Sequence, residues 1–179
     1  MNHVNAPPAP LGGEPLDLMF FEIEQALNAG LFYLAVGMSL AVPDICAALE
    51  SANGDTTGQQ YKAWFNANLA ARYPFLTAVD CWSLRCGVLH QGRMGHPKSQ
   101  YARVIFTMDA PRGGVFHNNV VNDALNLDAR TFCSDVIAAA RQWYANNSQT
   151  PSVVNNVERL VKLRPEGLPP YMVGMPVIT

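Results

Sequence analysis

The chain has 179 residues, of which 49% are hydrophobic and 15% charged, so it can bury a core and is too weakly charged for a disordered polyelectrolyte. Its 12 basic and 14 acidic residues give a net charge of −2, which excludes a general polycation that coats nucleic acid or membrane. The four cysteines are too few and too dispersed for a disulfide scaffold. They indicate reduced, mostly buried thiols in a cytoplasmic protein.

The two ends of the chain differ in composition from its middle. Residues 1–14 contain three prolines, two glycines and no Lys or Arg, so we expect a disordered lead-in rather than a signal peptide. Residues 15–165 are expected to form one domain. Residues 166–179 are rich in Pro and Gly and are expected to form a loosely packed coil.

The first half of the domain predicts helices. Apolar residues recur at three- and four-residue steps from residue 16 to residue 41, with room for a bend at Gly30. Pro43 is expected to end or restart this helix before a short one over 44–50. The uncharged residues 26–42 would span about 25 Å as a helix, less than the roughly 30 Å of a bilayer core. We therefore expect a buried central helix and no membrane span.

The second half predicts further helices around a small β element. Residues 103–108 have strand composition, and the segment up to residue 127 can supply one or two more strands. The sequence thus predicts an α+β fold, predominantly helical, with a small antiparallel β insertion near 103–127. No phosphate-binding glycine loop is present, so no nucleotide cofactor is expected. The expected helices lie over 59–71, 76–91, 129–146 and 151–163.

One Arg–His pair has the chemistry of a metal-independent ribonuclease. Arg85 and His90 stand five positions apart at the end of the helix predicted over 76–91. Arg can donate two hydrogen bonds to a phosphate, and His can exchange a proton near neutral pH. Together they suffice for attack of an RNA 2′-hydroxyl on its neighbouring phosphate.

The spacing by itself is a weak signal. Arg112 and His117 repeat it, but Arg112 lies between Pro111 and a Gly-Gly pair and cannot sit on a stable helix. Five residues at about 100° each put Arg85 and His90 about 140° apart around their helix. Only the length of the Arg side chain and a loosened last turn near Gly92 would bring the two tips into one cleft.

Charge is distributed unevenly along the chain. Residues 1–80 hold eight acidic and two basic residues, whereas residues 81–179 hold six acidic and ten basic ones. Between Arg85 and Arg112 the only acid is Asp109. We expect the basic residues after the Arg–His pair to line the mouth of its cleft and contact RNA phosphates. These residues are Arg93, His96, Lys98 and Arg103.

The stretch from Leu84 to Gly92 resembles the signature of HEPN domains, in which an Arg is followed after four to six residues by a His on the penultimate core helix. The run from Tyr33 to Cys46 also resembles the early helices of small prokaryotic HEPN-like proteins. The resemblance implies a helical bundle that forms a homodimer, with two Arg–His motifs facing one cleft. In catalytic members that cleft cleaves RNA without metal, often in defence or toxin–antitoxin systems.

By this resemblance Arg85 would stabilise the charged phosphorane, and His90 would act as general base or acid. The family commonly places a polar residue directly after the Arg, where this chain has Cys86. Since a thiol is a poor hydrogen-bond donor, the alternative is a non-catalytic HEPN-like module that binds RNA or protein. An antitoxin protein is a further expected partner of the nuclease.

Structural readings of the same residues stay open. Arg85 could form an ion pair with Asp80 or Asp44, and His90 could simply be a favourable residue near the helix C-terminus. Cys86 and His90, four apart on one helix face, could hold a metal with Cys81 or His96, although no second closely spaced ligand pair is present. The remaining cysteines, with Trp64 and Trp82, are expected to be core residues.

Overall fold

The computed structural model describes residues 13–94, 99–109 and 114–179. Within these ranges the chain is predominantly helical and α+β, as the sequence predicts. The expectations for residues 1–12, His96, Lys98 and Arg112 lie outside the described residues. The helices are α1 (Asp17–Asn28), α2 (Phe32–Glu50), α3 (Gly58–Asn68), α4 (Ala78–Gln91), α5 (Ala129–Asn147) and α6 (Pro151–Val157); the strands are β1 (Arg103–Thr107), β2 (Asn119–Val121), β3 (Ala124–Asp128), β4 (Leu163–Arg164), β5 (Gly167–Leu168), β6 (Met172–Val173) and β7 (Val177–Ile178).

Helix α2 is the centre of the domain. It packs against α1, α3, α4, α5 and α6, and 61% of its most apolar window is buried. By length and composition it could cross a membrane, but its buried surface is that of the core helix of a globular domain. Its apolar length therefore serves the core, as expected from the uncharged stretch 26–42.

Two predicted boundaries in this helical region were wrong. Gly30 is not a bend but a complete break between α1 and α2, and its φ of 73° lies in the left-handed region that glycine adopts readily. Pro43 neither ends nor restarts a helix, because α2 continues through it to Glu50. Burial of this part of α2 among neighbouring helices offsets the backbone hydrogen bond that proline cannot donate.

The small sheet has the strand order β1-β3-β2 and is mixed, not antiparallel as predicted. Asn122 and Asp123 both have positive φ, which makes a tight two-residue hairpin between β2 and β3. β3 is then the central strand, and its other edge pairs with β1 in parallel register, Val104 opposite Leu125. The hairpin is a local feature, whereas the parallel pairing depends on how the longer connection returns.

The C-terminal segment contains more regular structure than the predicted coil. Strand β4 pairs with β7 and β5 pairs with β6, each over two residues. None of residues 163–179 is buried, and the last buried side chain of the chain is that of Asn156. This segment is therefore held by backbone hydrogen bonds without a core of its own.

Candidate active site

Helix α4 carries the Arg–His pair and has well-defined ends. At its start Thr77 and Asp80 form a reciprocal capping box, in which the Thr77 side chain accepts from the Asp80 N–H at 3.1 Å. At its end Gly92 adopts a φ of 62°, and the Arg93 N–H donates to the Gly87 carbonyl at 3.0 Å. Both ends are thus fixed by local sequence, and His90 lies in the last turn.

Asp80 is occupied by the helix cap and by the loop that follows α4. Its carboxylate also accepts hydrogen bonds from the Ser99 hydroxyl at 3.1 Å and from the Gln100 backbone N–H at 3.0 Å. The side chain is buried and fully engaged at the N-terminal end of α4. Of the two acids that the sequence offered to Arg85, Asp80 is therefore not the partner.

The tips of Arg85 and His90 meet, despite their angular separation around the helix. The Arg85 Nη1 atom lies 2.6 Å from the His90 Nε2 atom. The long Arg side chain runs along α4 toward its C-terminus and spans the roughly 7.5 Å of helix axis between the two residues. The last turn does not loosen to allow this contact, because α4 stays helical through Gln91.

Asp44 of α2 holds the other side of the guanidinium. The Arg85 Nε–H donates to Asp44 Oδ2 at 2.5 Å, and the side chains of Arg85 and Asp44 are 19% and 9% exposed. The second oxygen, Oδ1, is buried without a hydrogen-bond partner among the described residues. Burial raises the pKa of Asp44, and the nearby Arg85 charge opposes that rise. The ion pair that the sequence left open is thus made with Asp44.

An aromatic platform supports the guanidinium from below. The Arg85 Cζ atom lies 5.1 Å from the centre of the Trp82 ring, one turn earlier on α4. Trp82 in turn packs on Tyr61 of α3, with ring centres 5.0 Å apart. A Cβ at Gly58 would come within 2.8 Å of the Trp82 ring, so the residue at this position must be small. Helix α3 therefore fixes the position of the Trp82 ring through contacts from Tyr61 and Gly58.

The Arg85–His90 contact assigns a hydrogen-bond role to each of the two side chains. A guanidinium can only donate hydrogen bonds, so His90 Nε2 must be the acceptor in this contact. The ring proton of His90 is then on Nδ1, and an unprotonated nitrogen faces the Arg85 tip at the protein surface. This is the state from which a histidine can take a proton as general base.

The expected phosphate-binding residues are only partly brought to this site. Arg93 follows the C-terminus of α4 directly, is exposed, and donates to the Gln91 side chain. Arg103 begins β1 and follows Gln100 by three residues. The Gln100 backbone N–H donates to Asp80, which lies at the opposite end of α4 from His90. Asp80 and His90 are about 15 Å apart along the helix axis. His96 and Lys98 lie outside the described residues.

Cys86 is half-buried next to Arg85, whereas the other three cysteines are buried and all four are free. Burial raises the pKa of Cys81 to about 12 and that of Cys133 to about 11, so neither is a reactive thiolate near neutral pH. In the part of the chain that the structure describes, no three His, Cys, Asp or Glu side chains could hold a metal ion together. The core assignment of Cys46, Cys81 and Cys133 is confirmed.

Sequence reasoning missed the role of Trp82, which was expected to be a core aromatic. The ring is only half-buried, and one face carries the Arg85 guanidinium. The signal was present in the sequence, because Trp82 and Arg85 are three residues apart and share one helix face. No family model, curated protein or solved structure matches this chain significantly.

Proposed function

We propose that this protein is a metal-independent endoribonuclease of the HEPN type, with Arg85 and His90 as its catalytic residues. The observation that carries the proposal is the 2.6 Å contact between Arg85 Nη1 and His90 Nε2. It brings together a permanent cation and an unprotonated imidazole nitrogen at the protein surface. The proposal also rests on the resemblance of residues 84–92 to the HEPN signature.

The reaction would be an internal transfer at phosphorus. His90 Nε2 takes the proton from the 2′-hydroxyl, and the 2′-oxygen forms a bond to the adjacent phosphorus. The bond from phosphorus to the 5′-oxygen breaks, which leaves a 2′,3′-cyclic phosphate and a 5′-hydroxyl that takes up one proton from a second imidazolium or from water. Arg85 donates to the non-bridging oxygens, whose charge grows in the transition state.

When a phosphate binds, one nitrogen of the Arg85 guanidinium would exchange His90 for a phosphate oxygen, and the guanidinium would keep its orientation. Nε stays on Asp44 at 2.5 Å, while Nη1 passes from His90 to a phosphate oxygen. His90 is then free to reach the 2′-hydroxyl. We therefore regard Asp44 as a positioning residue, which acts only through Arg85, and expect Asp44→Asn to lower kcat about tenfold with RNA affinity unchanged.

The proposal includes the partners that the resemblance implies. A homodimer would place two Arg–His pairs in one cleft and supply the second imidazolium that protonates the leaving group. RNA is the proposed substrate, and an antitoxin protein is the proposed regulator in a defence or toxin–antitoxin system in the cytoplasm. Arg93, with His96, Lys98 and Arg103, stays the predicted set of phosphate contacts.

One observation favours a second function. Cys86 stands beside Arg85 where catalytic relatives commonly have a polar residue, and it is only half-buried. A thiol there gives a weak hydrogen bond to substrate. A non-catalytic HEPN-like module that binds RNA or protein through the same surface is therefore the alternative.

The test is incubation of the purified protein with mixed RNA in excess EDTA. We expect cleavage that leaves 2′,3′-cyclic phosphate ends and that is blocked by a 2′-deoxy nucleotide at the cut site. His90→Ala and Arg85→Ala should each lower the rate at least 100-fold. Cys86→Asn should raise the rate if the thiol is what weakens the site.

His117→Ala is the matched control, because it removes a histidine outside the site. Salt-sensitive RNA retention without cleavage would support the binding module instead. Cleavage abolished by EDTA would contradict both and point to a bound metal. Cleavage that survives both Arg85→Ala and His90→Ala would place the activity elsewhere.

A further inference from the structure

The C-terminal segment, residues 163–179, exposes several large apolar side chains and contains no buried residue. We call it the C-terminal arm. Tyr171 is 83% exposed and Val173 71%, and Met175 and Ile178 are also more than half exposed. From Gly167 to Thr179 the arm has no charged residue. Surface of this kind usually marks an interaction site.

The arm has a defined backbone, but its side chains are at most partly buried. Lys162 and Thr179 exchange two backbone hydrogen bonds, of 2.7 and 3.0 Å, and the Gly174 N–H donates to the Glu166 carbonyl at 3.1 Å. A pair of short strands without a packed face is marginal in water. An apolar surface that covered the exposed side chains of the arm would therefore stabilise it.

A groove that fits this requirement crosses α1 and α2. It consists of two cavities, of about 190 and 370 Å³, which share Glu22 and Met38 as lining residues. The first reaches Val161 near the root of the arm, and the second reaches Leu89 beside the candidate site. Among the described residues that line the two cavities, Glu22 is the only charged one. We call this surface the apolar groove.

The arm does not lie in the groove of its own chain. After Val161 the backbone turns into β4, whose partner β7 comes from the end of the same arm. Leu34 in the groove is 59% exposed, so the described residues of one molecule leave both the arm and the groove open. Two open apolar surfaces on one chain can both be covered when two copies exchange them.

We propose that the arm of each copy docks in the apolar groove of a second copy, which gives a closed twofold dimer. Exchange covers both surfaces on both chains, whereas a one-way contact leaves one arm and one groove open. The arm's 17 residues supply most of the roughly 20–30 residues per partner found in a standard interface, and the groove supplies the rest. Residues 167–179, which carry the exposed apolar side chains, have no charged side chain, so burying them carries little desolvation penalty.

The inference rests on the homodimer of the proposed function but not on RNA cleavage. The groove ends at Leu89, next to His90, so the arm of the partner would lie beside the candidate site. Dimerisation and the environment of His90 would then be linked. Failure of the ribonuclease proposal would leave the arm exchange unaffected, because the two are measured separately.

The experiment measures mass in solution by sedimentation at about 50 µM. We expect the full chain to be a dimer, and Val173→Glu in the arm or Leu34→Glu in the groove to weaken it at least 100-fold. Phe116→Glu is the matched control, since Phe116 is exposed and lies in neither surface. Circular dichroism shows that each variant is folded.

A mixing experiment distinguishes exchange from any other dimer. Val173→Glu keeps an intact groove and Leu34→Glu keeps an intact arm, so a mixed pair regains one of two arm–groove contacts, whereas each variant alone has none. We expect mass above that of the monomer only in the mixture. A monomeric full chain, or a dimer that survives deletion of residues 163–179, would overturn the proposal.

Discussion

His90 and His117 both follow an Arg by five positions, yet the structure uses them differently. His90 is exposed in the last turn of α4, and its Nε2 atom faces the Arg85 guanidinium. His117 is half-buried before β2, and its Nδ1 atom accepts the Asp128 N–H at 3.1 Å. Its ring also packs edge-on against Tyr73. His90 is exposed beside Arg85, whereas His117 makes structural contacts with Asp128 and Tyr73.

The difference lies in what surrounds each histidine. Around His90, α4 provides a rigid frame, and Asp44 with Trp82 holds Arg85 from two sides. At His117, the acceptor nitrogen is used by the residue that caps α5. A spacing of two residue types therefore carries information only when the helix that presents them and the acid that orients them are both known.

The largest expected effect separates the two histidines by activity. If the proposed function is right, His90→Ala lowers metal-independent RNA cleavage at least 100-fold, because it removes the proton acceptor. His117→Ala should change the rate less than about threefold at a temperature where both variants are folded. Initial rates of cleavage of one RNA measure this. Equal losses of rate in the two variants would contradict the distinction between the two histidines.

The next effect concerns the stability of the orienting ion pair. Arg85→Ala should lower the free energy of unfolding by about 3 kcal/mol, because it leaves the Asp44 carboxylate buried and unpaired. Adding Asp44→Asn should recover at least half of this loss, since an amide tolerates burial better. Urea unfolding of both single variants and the double variant measures the coupling. Additive losses would show that the pair is not coupled.

Stability should rank the histidines in the reverse order of activity. His117→Ala should cost about 1–2 kcal/mol, because the Asp128 N–H loses its acceptor and Tyr73 loses an aromatic contact. His90→Ala should change unfolding by less than about 0.5 kcal/mol, since the ring is exposed. Urea midpoints measured side by side decide this, and a larger loss for His90→Ala would contradict it.

The smallest effect is a pH dependence that comes from Asp44. Burial raises the pKa of this carboxyl group in the folded protein, so the folded state holds the proton more tightly than the unfolded one. Its contribution to stability is then greatest below the ordinary value of 3.8 and falls as pH rises through the folded pKa. The free energy of unfolding of the wild type minus that of Asp44→Asn should therefore fall as pH rises from 3.8 to the folded pKa of Asp44. If this difference in unfolding free energy rose with pH instead, folding would lower the pKa of Asp44, which contradicts the prediction.

Local sequence determined the pieces that depend on neighbours in the chain. Thr77 caps the start of α4 and Gly92 ends it, so α4 lies within the helix predicted over 76–91. The apolar stretch 26–42 predicted a buried central helix, and most of α2 is buried. These features follow from helix periodicity and backbone conformation, which act over a few residues.

Only the tertiary structure decided features that depend on distant residues. Packing around α2 carried the helix through Pro43, and the return of β1 to β3 made the sheet mixed. The choice of Asp44 over Asp80 as the partner of Arg85 required α2 to lie beside α4, across 41 positions of sequence. Residue types set which contacts are chemically possible, whereas the packed fold selects among them, because desolvation and geometry act between residues far apart in the chain.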